Sequence, residues 1–155
     1  LSKGLIATLA GVAAIAMIVA GCGSSSNDST SSLTKAQFIV KADAICKAGN
    51  AEIESGFEDF AKEAGIKENE EPSKAQGVEV SETVLIPYIK EQSEELRDLG
   101  TPSGDEEEIT AMLDALDEGV EEAEADPEAL FTSKSDPFGA ANKMAKEYGL
   151  KVCGQ

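Results

Sequence analysis

One apolar stripe limits the fold more than any other feature of the chain. Phe38, Ala42, Ile45, Cys46, Gly49, Ile53, Phe57 and Phe60 recur at steps of three and four residues, the spacing that lines one face of an α-helix. Its start is fully specified: Thr34 is placed to cap the first turn, Gln37 completes a capping box, and Leu33 and Phe38 stand at the positions of a hydrophobic staple. A helix from this start to about Ala64, ended by Gly65, is the expectation.

The pattern repeats downstream. Residues Gly65 to Gly77 are polar, rich in Glu and broken by Pro72, and read as a loop. Val84, Leu85, Tyr88, Ile89, Leu96 and Leu99 then form a second stripe that stops at Gly100 and Pro102. Pro87 lies inside it, where a missing amide proton and a crowded residue-83 carbonyl predict a kink. Ser103 and Glu106 form a second possible capping box ahead of Ile109, Met112, Leu113, Leu116, Val120 and Ala123. Asp105 to Glu108 lack the spaced oxygen ligands of a calcium loop and suit the positive end of a helix. Asp126-Pro127 and Asp136-Pro137 each read as a cap followed by Pro at the first helical position. The second opens a final helix over Phe138, Ala141, Met144, Ala145 and Tyr148, closed by Gly149.

Four such helices, with no period-two segments, predict an all-α antiparallel four-helix bundle over residues 34–155. Aromatic residues make up 5% of the chain and Trp is absent, so the core must be built mostly from small aliphatic side chains. Gly49 and Gly56 stand on or beside the first stripe; a close helix crossing, a cavity, or simple tolerance of glycine would each account for them.

Residues 1–33 do not share this pattern. The chain opens with Lys3, runs apolar from Leu5 to Val19 and then reads Val19-Ala20-Gly21-Cys22 before a Ser-rich stretch. A positive start, a short apolar run and small residues at a cleavage point are the parts of a secretory signal peptide. The run is shorter than the ~20 residues that a membrane-spanning helix needs. Val19-Ala20-Gly21-Cys22 resembles the lipobox of bacterial lipoproteins, with Val19 where Leu is more usual. The resemblance implies cleavage before Cys22, diacylglycerol on its sulfur, and attachment to the extracytoplasmic face of the cell membrane. Residues 1–21 are then the signal peptide and 22–33 a lipidated cysteine with a flexible tether. Ten residues of the composition of Gly23 to Ser32 span roughly 17 Å root-mean-square.

Export leaves two thiols, Cys46 and Cys153. An even count in an oxidising compartment predicts a disulfide, closing a loop of about a hundred residues and contributing on the order of 4 to 5 kcal/mol in the chain-entropy model. A redox pair is disfavoured, since there is no Cys-x-x-Cys spacing and no His to lower a thiol pKa. Together, Asp43-Ala44-Ile45-Cys46, the Leu99-Gly100-Thr101-Pro102 break and Tyr148-Gly149-Leu150 with Cys153 resemble small lipoproteins of high-GC Gram-positive bacteria. That resemblance implies no particular activity.

Chemistry is narrowed by what the chain lacks. Its 155 residues hold 13 Lys and Arg against 30 Asp and Glu, a net charge of −17. Lys3 is the only charged residue before Cys22, so the exported part stands at −18. Nucleic acid and an anionic lipid surface are therefore poor direct partners, and no nucleic acid is expected. The absence of His removes the commonest general base and the commonest zinc ligand. The carboxylate pairs Glu94 and Glu95, and Asp114 and Asp117, read as solvated helix faces rather than acid–base catalysts. No enzyme, metal site or cofactor is expected. Besides membrane lipid held through the acyl chains of Cys22, the expected partner is an envelope protein, which would make the domain a non-catalytic interaction or structural module. The alternative is a small ligand in a pocket between helices near Gly49, Gly56 and Pro87.

Overall fold

A computed structural model of the chain describes residues 33–132 and 136–155; the lipobox, Cys22 and the tether up to Ser32 lie outside the described residues. Among the described residues the fold is all-α and bundle-like, with no strand.

Helix α1 spans Lys35–Glu63 and has the expected capping box. Thr34 Oγ1 accepts from the Gln37 amide at 3.3 Å, and Gln37 Oε1 accepts from the Thr34 amide at 2.9 Å, so two otherwise orphaned N–H groups are satisfied. Leu33 packs on the core cluster that contains Phe38. Gly65, at φ +69°, lets the chain leave the helix left-handed.

The segment after α1 differs from expectation. Residues before Ser73 are irregular, but helix α2 spans Lys74–Val80, so the expected loop is shorter than Gly65 to Gly77. The cause is a second capping box, in which Ser73 Oγ accepts from the Gln76 amide at 3.4 Å and Gln76 Oε1 from the Ser73 amide at 2.9 Å. Helix α2 runs without a break through a π-helical segment, Ser81–Leu85, into α3, Ile86–Asp98. Pro87 therefore neither starts nor interrupts the helix. The wider turn, in which the Ile86 amide reaches back to the Ser81 carbonyl, loosens the ladder where the proline ring would crowd it.

Helix α4 spans Glu106–Ala125 with Asp105 at its cap position. The expected Ser103–Glu106 capping box does not form. The Glu106 carboxylate accepts instead from the Gly104 amide at 2.7 Å, while Glu106, Glu107 and Glu108 fill the first turn, where amide dipoles favour negative charge. Helix α5 is the short Ala129–Thr132 piece, whose Ala129 amide donates to Asp126 Oδ1 at 3.3 Å. Helix α6 spans Gly139–Tyr148. Asp136 and Pro137 form a turn into it, the Gly139 amide donating to the Asp136 carbonyl at 3.0 Å, so the helix starts later than a cap at Asp136 implies.

Pairings between helices fix their directions. Gly49 lies against Gln92 and Gly56 against Val84 and Tyr88, so α1 and α3 are antiparallel. Lys90 meets Glu124, Ser93 meets Asp117 and Arg97 meets Asp114, so α3 and α4 are antiparallel. Gly119 lies against Pro137 and Phe138, and Asp105 against Tyr148, which sets α4 against α6 in the same way. Phe38, Ala42, Cys46, Leu96, Ile109 and Tyr148 belong to the main core cluster. A separate small cluster of Ile86, Val120 and Ala123 holds the other end.

Tyr148 ties three elements together. Its ring meets Phe38 edge-on at 5.8 Å between centroids, carries the Lys35 ammonium 3.7 Å from its centre, and its hydroxyl donates to Asp105 Oδ2 at 2.6 Å. Burial, reinforced by the Asp105 hydrogen bond and charge, raises the phenol pKa above its ordinary value. A group whose folded pKa is raised stabilises the fold fully below its unfolded pKa, here about 10, and loses that contribution as pH climbs above it. Tyr148→Phe should cost about 1–3 kcal/mol at neutral pH through loss of the bond to a charged acceptor. It should also flatten the decline of stability above pH 10. Equal slopes for the two proteins in urea titrations at pH 9 to 11 would contradict this.

Candidate functional site

The C-terminal tail folds back along α1. Cys46 and Cys153 form the expected disulfide, with Cα atoms 5.1 Å apart. One turn earlier on α1, the Asp43 carboxylate accepts from the backbone amides of Lys151 at 3.0 Å and Val152 at 2.8 Å, with Cys153 at 3.5 Å. A covalent bond and a carboxylate clamp thus hold the tail as a wall beside the helices.

Behind that wall is a cavity of about 590 Å³ between α1, α3, α4, α6 and the tail, within the ~300–1,000 Å³ typical of small-molecule sites. Its origin can be traced residue by residue. The fully buried positions of α1 are Phe38, Ala42, Cys46 and Gly49, all in its first half. Ile53 and Phe57, farther along the same stripe, are only half-buried and line the space. The main cluster supplies the walls at one end, through Cys46, Leu96 and Met112, and Ile89 and Phe138 supply them near the other. With few aromatic side chains available, nothing large enough bridges the two clusters.

Gly49 and Gly56 mark close crossings. A Cβ on Gly49 would stand 2.2 Å from Gln92 Nε2, and one on Gly56 would stand 2.5 Å from Val84 Cγ1. The Gln92 amide nitrogen is buried against Gly49 without a hydrogen-bond partner, an arrangement that costs stability. The Gln92 side chain also lines the cavity.

Asn50, Glu54 and Glu58 follow one another at four-residue steps along α1, are all exposed, and border the cavity. Lys62 reaches Glu58 at 4.0 Å, and Glu54 has no ion pair among the described residues. Among the described residues no Lys or Arg lines the space. Gly49 and Gly56 stand out in the sequence and this row does not, because exposed acids on a helix of an acidic protein carry no signal until the geometry shows what lies beside them.

The carboxylate pairs lie elsewhere. Glu94 and Glu95 are exposed. Asp114 and Asp117 both bind Arg97, the former at 3.1 Å, and Asp117 also accepts from Ser93 Oγ at 2.7 Å. The Asp117 hydrogen bond is the main reason that the Arg97 pKa is raised. These groups form a polar seam between α3 and α4. Among the described residues no group of three His, Cys, Asp or Glu side chains could hold a metal ion, and no helix is long and apolar enough to cross a membrane.

No protein-family model, curated protein or solved structure matches the chain.

Proposed function

We propose that the chain is an extracytoplasmic lipoprotein, anchored through acyl chains on Cys22, whose helical domain binds a small apolar ligand without transforming it. The observation that carries the binding reading is the cavity of about 590 Å³ behind the Cys46–Cys153 bridge, with its apolar walls. A filled core would have favoured an interaction or structural module of the envelope; an open space between helices favours a ligand. The lipobox Val19-Ala20-Gly21-Cys22 supports the address, and the acidic charge and lack of His support a binding role over catalysis.

The test is calorimetric titration of the unacylated mature chain, residues 22–155 with Cys22→Ser, with decanol, an uncharged apolar probe. The described helices, both core clusters and the disulfide all lie within that chain. Saturable one-to-one binding is expected. Leu116 lines the cavity and is half-buried, so Leu116→Trp should fill space and weaken binding by about tenfold or more, a loss of at least 1.4 kcal/mol. No saturable binding, or equal affinity in a folded Leu116→Trp protein, would overturn the reading.

A further inference from the structure

The charge pattern of the cavity narrows what it takes. We infer that its ligand is an amphiphile with a cationic head, an amine or quaternary ammonium on an apolar chain, whose chain lies between the helices while its charge sits at Glu54 and Glu58. The inference rests on the reading of the cavity as a ligand site and adds the chemical class.

Three observations carry it. The walls offer an apolar chain a large aliphatic and aromatic surface, with Ile53, Phe57 and Leu116 around the space. Among the described residues the only ionised side chains on its border are carboxylates, Glu54 and Glu58, one helical turn apart on α1. The remaining polar side chains there are amides, Asn50, Gln92, Asn142 and Gln155, which carry no charge. An anionic head would meet two carboxylates and no cation, so a charge drawn toward the apolar space would be desolvated without a partner. A cationic head would meet Glu54, which has no ion pair among the described residues, with Glu58 adding its charge although Lys62 stands 4.0 Å away. Both acids are solvent-exposed, so the preference they confer is modest, on the order of fivefold.

Three probes of matched chain length separate the possibilities: decyltrimethylammonium, decanol and decyl sulfate. Each is titrated below its micelle concentration into the same unacylated mature chain in 0.15 M salt, a condition that screens the −18 net charge beyond about 8 Å. The ammonium should bind about fivefold more tightly than decanol, and the sulfate more weakly than decanol. The double variant Glu54→Gln/Glu58→Gln should bring the ammonium down to the affinity of decanol and leave decanol binding unchanged. Glu107→Gln, in the first turn of α4 and not on the cavity border, should leave the ratio as it was. If decanol binds but the sulfate binds as well as the ammonium, the charge inference falls and the cavity reading stands. A ratio lowered as much by Glu107→Gln as by the double variant would overturn the inference as well, since the attraction would belong to the whole acidic surface. If none of the three probes binds, the cavity reading itself falls.

Discussion

Opening the Cys46–Cys153 bridge is expected to lower the melting temperature of the domain by about 15–20 °C. The two cysteines are 107 residues apart in sequence, and a cross-link closing a loop of about a hundred residues contributes about 4.7 kcal/mol through the unfolded chain. For a domain between the size classes of 60–100 and 150–250 residues, each kcal/mol moves the melting temperature by about 4 °C. The folded state has less to lose, because the Asp43 carboxylate independently holds the amides of Lys151 and Val152. Loss should therefore be dominated by the freedom returned to the unfolded chain. Cys46→Ser, Cys153→Ser and reduction of the native protein should then give similar shifts in scanning calorimetry. A drop of under about 5 °C would mean that the native geometry, not the loop closure, sets the contribution.

The same bridge forms part of the cavity wall, which links stability to binding. With the cysteines reduced, the clamp at Asp43 and the packing of Leu150 and Val152 on the main core cluster remain, but the wall has lost its covalent tie. Decanol affinity measured on the reduced protein below its melting point reports how much of the cavity depends on the covalent tie.

What was legible in the sequence was local. The start of α1 is written in Thr34, Gln37, Leu33 and Phe38, neighbours that specify their own geometry, and the structure has that capping box. The Cys46–Cys153 pairing followed from having two thiols once Cys22 is set aside. Local signals failed where a distant group competes for them. Asp105 replaces Ser103 at the cap of α4, and its carboxylate accepts a hydrogen bond from the Tyr148 hydroxyl, 43 residues away. Ser73 and Gln76 carried a signal as clear as that at Thr34, but Pro72 and the Glu-rich run before it read as a loop.

The π-helical segment illustrates a different limit. A stretch of five residues, Ser81–Leu85, changes the hydrophobic period too little to show in a stripe, so Pro87 pointed to a kink and not to a wider turn. The cavity was hidden for a third reason. A void is the difference between the space that the backbone encloses and the side chains available to fill it, and no residue encodes that difference. Gly49 and Gly56 came nearest, since a missing Cβ lets α3 approach α1 at Gln92 and Tyr88 and the π-helical segment approach it at Val84, which sets the position of α3 beside the space.

Replacing Cys22 by Ser should abolish acylation completely. Acyl chains carried by Cys22 would add about 0.8 kcal/mol for each methylene buried. A single myristoyl chain binds membranes only marginally, at about 10⁴ M⁻¹, so two or more chains are what make attachment durable. Cells fed an alkyne-bearing fatty acid should label the native chain. The Cys22→Ser protein should carry no label, and the smallest labelled peptide of the native protein should begin at Cys22. The acidic domain also makes a prediction about direction. At −18 it would be repelled by an anionic leaflet, so under the proposed anchoring the lipid alone would hold it there, and salt extraction should not release it while detergent should. Label retained by the Cys22→Ser protein, or release of the native protein by salt alone, would mean that the attachment lies in something other than the lipobox cysteine.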